Sequence, residues 1–183
     1  LFRANVSSGG SGLFVVASVA KGVRKVVADG DVDPRDGTRS FISSGNGLLN
    51  DLGQVAFYAN LAIWVNSPEG VNSPKGVTSL AVAQGDGVPA PLGGTFGNPP
   101  NNNLSEFFAA FNDAGEIAFT SPVSGSSGTD SGLFRFRPGA ALEIVAYRRQ
   151  QAPNAGGLEF FNWAGISMNS SGGVLCWRSS RRS

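Results

Sequence analysis

One short phrase occurs three times in this chain and limits what it can fold into. The copies are Asn50-Asp51-Leu52-Gly53-Gln54-Val55-Ala56-Phe57, Asn112-Asp113-Ala114-Gly115-Glu116-Ile117-Ala118-Phe119 and the looser Asn169-Ser170-Ser171-Gly172-Gly173-Val174-Leu175-Cys176, spaced 62 and 57 residues apart. Asn at the start of a tight turn hydrogen-bonds its own backbone two residues on. Gly at the fourth place accepts the left-handed conformation that a type I turn with a bulge requires. The β-branched and aromatic run that follows reads as a strand. Val55, Ala56 and Phe57 are all apolar, without alternation. Such a strand is buried on both faces, between stacked sheets or under a packed helix.

Placed in phase, the chain divides into units of about 2–56, 57–118 and 119–176. Each opens with the strand that follows the phrase. A second strand is expected at Gly12–Val16, Ala62–Val65 and Gly132–Phe136, and a third at Lys25–Ala28, Leu80–Ala83 and Glu143–Ala146. A loop rich in Gly, Asp and Pro comes next, at Asp29–Gly37, Gln84–Gly94 and Tyr147–Gly157. An aromatic and a short extended segment, Phe41–Leu49 or Phe107–Phe111, lead back to the turn. The predicted fold is therefore all-β, with three repeats of about four antiparallel strands each. Four-stranded meanders at a fixed period suggest β-propeller-like blades. Propellers have about four to eight blades, so three units predict an incomplete propeller, a homo-oligomer that completes the ring, or another all-β stack. Leu1–Val6 matches the strand after the phrase, which suggests that the chain starts inside a repeat of something longer. The expected array spans 1–177. Residues 178–183 leave the pattern as an Arg/Ser run, expected to be a disordered or truncated tail.

Composition narrows the function classes. Gly is 26 of 183 residues and charged residues are only 15 %, a chain rich in turns and poor in solvated helix. Thirteen Phe and three Trp supply a core. The net charge of +1 includes Arg178, Arg181 and Arg182, so the body carries about −2, which argues against nucleic acid as a partner. There is no His, which excludes Ser-His-Asp and Cys-His centres within the chain. A single cysteine, Cys176, precludes an intrachain disulfide. Cys176 stands where Phe57 and Phe119 stand, so a small hydrophobe is expected there. No signal peptide or membrane-spanning run is visible.

Candidate chemistry is sparse. Asp29, Asp31 and Asp33 alternate like the start of a calcium loop. The likeness stops at Pro34 and Ser40, where an EF-hand needs Gly and a bidentate Glu. Only Asp31 recurs, as Asp86. These three carboxylates are the metal candidates, beside the reading of an ordinary Asp/Gly turn. Asp51 and Asp113 occupy equivalent turns and could form an acidic rim. Glu116 and Glu143 show no paired spacing of the glycosidase kind. Trp64 takes the place of Phe14 and Phe134 and reads as core; Trp163 lies in a looser region, where an exposed ring would stack on a sugar. Val65–Gly70 and Val71–Gly76 are a duplicated hexapeptide, growth at a loop tip. Leu104–Phe111 would pass for a short helix, but its place in the repeat predicts extended structure.

Val27-Ala28 with Gly30-Asp31 and Pro34, Val82-Ala83 with Gly85-Asp86 and Pro89, and Gly93-Gly94-Thr95-Phe96 complete the pattern around the phrase. Together they resemble tandem β-repeat, propeller-like proteins of secreted or surface-anchored bacterial type, a group of unknown function. In the third unit Arg148-Arg149 stand where that pattern has Gly-Asp. The resemblance implies export and a propeller-like fold, and brings no catalytic residues. The expected function is a non-catalytic extracellular or cell-surface scaffold or binding module. The alternative is part of a propeller-type glycan hydrolase or lyase whose site is completed by other repeats.

Overall fold

The computed structural model describes residues 1–5, 9–18, 22–35, 37, 41, 43–68, 76–97, 109–125, 131–154, 157–160, 163 and 165–177. Every regular element among them is a strand: β1 (Phe2–Asn5), β2 (Ser11–Ser18), β3 (Gly22–Ala28), β4 (Ser43–Leu49), β5 (Val55–Ala59), β6 (Ala62–Pro68), β7 (Gly76–Ala83), β8 (Thr95–Phe96), β9 (Ala109–Phe111), β10 (Ile117–Ser124), β11 (Ser131–Phe136), β12 (Glu143–Tyr147), β13 (Gly165–Met168) and β14 (Val174–Trp177).

The strands form four antiparallel sheets, none closed on itself. The second sheet is the meander β4-β5-β6-β7. The third is β9-β10-β11-β12, with β8 joined to the far end of β10. The first sheet holds β1-β2-β3 and the fourth β13-β14. Of the segment 104–111, expected to be extended, Ala109–Phe111 is strand β9; residues 104–108 lie outside the described residues, as do the duplicated loop at 69–75 and the tail from 178 on.

The sheets repeat in register. Phe2 opposes Phe14, Phe57 opposes Trp64 and Phe119 opposes Phe134. One step before each of Phe14, Trp64 and Phe134 the pairing with the next strand shifts by a bulge. This phase corrects the third unit by one residue. Gly12 pairs with Ala28, Ala62 with Ala83 and Gly132 with Tyr147, so Tyr147, not Ala146, is the counterpart of Ala28.

The unbroken apolar run of β5 follows from this stacking. Val55, Phe57 and Ala59 face the first sheet with Leu13, Val15 and Val27. Ala56 and Tyr58 face the third sheet with Ile117, Phe119 and Phe134. All five residues of β5 are buried. Ala118 and Leu133 carry the pattern on to Ile166 of the fourth sheet. Three apolar layers thus alternate with four sheets, and apolar burial stabilises each layer by about 25 cal/mol per Å² removed from water.

Candidate functional site

The residues that carried chemistry in the sequence sit at the two ends of the strands, and there they join one unit to the next. At one end lies the repeated turn. Asn50, Asn112 and Asn169 each accept, through the backbone oxygen, the N–H of the Gly three residues on, at 3.1, 3.0 and 3.1 Å. Each side-chain Oδ1 accepts the next N–H, of Gln54, Glu116 and Gly173, at 2.9, 3.0 and 2.7 Å. Gly53, Gly115 and Gly172 have φ of 77°, 76° and 80°, the conformation that glycine adopts without steric cost. The turns are also linked to one another. Asn50 Nδ2 donates to Asn112 O at 2.9 Å, and Asn112 Nδ2 donates to Asn169 O at 3.1 Å. The amide of Asp51 donates to Asp113 Oδ1 at 2.8 Å. The two aspartates of the anticipated rim are therefore brought together, with Asp113 engaged as a bracket on the preceding turn.

Arginines reinforce this end. Arg24 of β3 is buried and donates to Asn66 Oδ1 and, at 2.6 Å, to Gly53 O. Burial pulls its pKa below the usual arginine value. Arg135 of β11 donates to Gly172 O, the counterpart of Gly53 O one sheet pair further on, while Glu143 holds its guanidinium at 2.6 Å. No spacing in the sequence marks this pair, because the two arginines come from different strands.

At the other end lie the Gly/Asp/Pro loops. Asp31 Oδ2 accepts from Ala28 N and Asp86 Oδ2 from Ala83 N, both at 2.8 Å; in the third unit Gln150 Oε1 accepts from Tyr147 N at 3.0 Å. The same three loop residues accept, through their backbone oxygens, the amides of Phe41, Phe96 and Phe160. The aromatic of the second unit is therefore Phe96; Phe107, set beside Phe41 in the sequence, lies outside the described residues. Each loop Phe passes to the following sheet. Phe41 meets Trp64 edge-on with centroids 5.1 Å apart, and Phe96 meets Phe134 likewise at 4.8 Å. Phe160 stacks on Trp163 at 5.7 Å, and both it and Cys176, the counterpart of Phe57, pack against the apolar layer that Trp163 shares with Ile166. Trp163 is buried, not an exposed sugar platform. Cys176 is half-buried, and its burial raises the thiol pKa.

This alignment shows that Arg149-Gln150, not Arg148-Arg149, stand where Gly-Asp stands elsewhere. Arg149 keeps the turn at φ 67°, against 93° for Gly30 and 87° for Gly85. A left-handed residue with a Cβ costs about 1–2 kcal/mol. Arg149→Gly is expected to raise stability by about 0.5–1 kcal/mol, read as a higher melting temperature. An unchanged or lower melting temperature would mean that contacts of the arginine outweigh the strain.

The candidate metal loop places its three carboxylates on different partners. Asp29 Oδ2 accepts from Ser11 N at 2.7 Å. Asp31 pairs with Lys25 at 2.7 Å. Asp33 is fully buried, pairs with Arg35 at 2.6 Å and accepts from Asn60 Nδ2 at 3.0 Å. Arg35 in turn lies 5.1 Å over the Trp64 ring, a cation–π contact between units. Among the described residues no group of three or more acidic, His or Cys side chains could hold a metal ion. With the carboxylates so engaged, millimolar calcium or a chelator is expected to move the melting temperature by no more than about 1 °C. A calcium-dependent rise of several degrees would bring a cation back to this loop.

Hydrogen bonds from the Arg35 guanidinium hold the Asp33 carboxyl far below the usual carboxylate range. The pKa is depressed in the folded state, so its contribution is complete above the unfolded value of about 3.9 and is lost as pH falls below it. Melting temperature should therefore drop more steeply between about pH 4 and pH 2 in the parent than in Asp33→Asn, which starts lower at neutral pH. Parallel acid profiles would contradict this assignment.

Two open clefts flank the outer strands. One, of about 360 Å³, lies between Lys25, Asp31, Pro34 and Phe41 on one side and Gly76 and Thr78 on the other. The second, of about 530 Å³, is lined by Pro89–Pro91, Arg137, Glu143, Ile144, Tyr147 and Gln150. No helix among the described residues is long and apolar enough to cross a membrane.

Stacked antiparallel meanders, joined by an asparagine turn ladder and loop phenylalanines, define an all-β protein whose functional groups are largely spent on joining its sheets. A family model, DUF7453, described as a family of unknown function, matches residues 69–178. That is more than half of the chain, and the chain belongs to this family. No curated protein and no solved structure matches the chain.

Proposed function

We propose that the chain is a non-catalytic β-repeat module, a scaffold or binding unit of propeller-like blades that acts outside the cell or at its surface. The observation that carries this reading is the use of the carboxylates. Glu116 accepts from Asn112 Nδ2 at 2.9 Å, and Glu143 pairs with Arg135 at 2.6 Å and Arg137 at 3.3 Å. Asp33 is closed off by Arg35 and Asn60. A glycosidase needs two carboxyls facing one gap of about 5–10 Å, free to hold a proton or a water. Among the described residues these three acids serve turns and inter-sheet contacts. The outer cleft around Tyr147 and Arg137 is the surface offered to a ligand, with an aromatic and prolines beside a few polar groups.

The test is incubation of the purified chain with a panel of soluble polysaccharides, followed by assay of both retention and newly formed chain ends. Scaffold function predicts no new reducing or unsaturated ends, whether or not a polymer is retained. Release that scales with protein and disappears in Glu143→Gln would replace this reading with the glycan-active one.

A further inference from the structure

We propose that the outward face of the first sheet is a docking face for one more unit of the same build. This rests on the repeat reading above and adds a partner to it. In each following sheet the corresponding face is covered by what precedes it. Phe57 and Trp64 are each 1 % exposed beneath Phe41, and Phe119 and Phe134 are 0 % exposed beneath Phe96. The first sheet carries the same aromatic pair, Phe2 stacked on Phe14 at 5.7 Å, with Phe2 40 % exposed. Beside it Val16 pairs with Val23, and these are 48 % and 58 % exposed. The counterpart of Val16 in the second sheet, Asn66, is 1 % exposed. Four large apolar side chains thus share one open face, which marks an interaction surface.

The strand edge points to the same occupant. β5, β10 and β14 each pair with a strand that precedes them in the chain, β4, β9 and β13. Among the described residues β1 pairs only with β2. An arriving unit with a strand like β4, a turn like Asn50–Gly53 and a loop aromatic like Phe41 would pair with that edge and seat its ring on Phe2–Phe14. Continuity with two interfaces already built in this chain selects this occupant, since both the socket and the edge have matching partners within each repeat.

The experiment joins a second copy of residues 2–56 directly ahead of Phe2 in the full chain. Phe2 then follows Ala56 of the copy as Phe57 does in the parent. Amide exchange of β1 should slow at least about tenfold relative to the parent, as local opening becomes coupled to a packed unit. Phe41→Ala in the added copy alone should return most of that protection. Val23→Lys should leave the parent's melting temperature unchanged and lower that of the extended chain. An added copy that stays unfolded, or that folds without slowing β1 exchange, overturns the proposal. So does a parent that dimerises through this face and loses the dimer with Val23→Lys, because the occupant would then be a second chain. Polysaccharide turnover by the parent would sink the scaffold reading and leave these exchange results standing.

Discussion

Replacing Phe96 with alanine is expected to lower the unfolding free energy by about 3–5 kcal/mol. The ring is 1 % exposed and touches Phe119 and Phe134, both fully buried. It arrives from the loop of one unit and completes the core of the next. Its backbone is fixed independently, by hydrogen bonds to Gly85 and Asp86 and by pairing with Val123. The surrounding structure is therefore held open and cannot collapse into the space, which puts the cost at the upper part of the range. In a chain of this size the melting temperature should fall by roughly 10 °C. A shift of only one or two degrees would mean that the loop aromatic is not a link between sheets. Phe96→Leu should recover part of the loss, because volume matters more than the aromatic geometry.

The second large effect is expected at the turn. Asn112→Ala removes three hydrogen bonds at once: from Glu116 N to Oδ1, and from Nδ2 to Glu116 Oε2 and Asn169 O. Asn112 is buried, and unsatisfied buried partners cost more than the bonds themselves were worth. The expected loss is about 2–4 kcal/mol, measured by denaturant unfolding. Asn169 accepts at Oδ1 from Gly173 N as Asn112 does from Glu116 N, and from Ser171 besides, but it is exposed. Asn169→Ala should cost only about 1 kcal/mol. The difference between the two substitutions measures the link from turn to turn. Equal losses would show that each turn stands alone. Asn112→Asp keeps the acceptor but loses both donors and sets a carboxylate beside Glu116, so its penalty should ease as pH falls below about 4.

Both positions were visible in the sequence, one more clearly than the other. The turn is readable because Asn bonds the backbone ahead of it and Gly takes the positive φ that other residues resist. The double-sided burial of β5 was readable from three apolar residues in a row. Phe96 was harder. Its Gly-Gly-Thr-Phe context matches the repeat pattern, but Phe107 also fits the place, since loop length varies between units and spacing alone cannot choose. Arg24, Arg135 and Asp33 are not legible as links for a related reason. Their partners are 42, 37 and 27 residues away, and no local pattern encodes such a meeting. Asp33 is buried against Arg35, whose guanidinium caps Trp64, a setting that alternating aspartates in the sequence do not reveal.

Coupling between neighbouring sheets is the central claim, and amide exchange in Phe96→Ala tests it most directly. Coupling predicts that β5–β7 and β10–β12 lose protection together, because one ring serves the layer that both sheets share. Loss confined to residues 84–97, with both sheets as protected as in the parent, would contradict it.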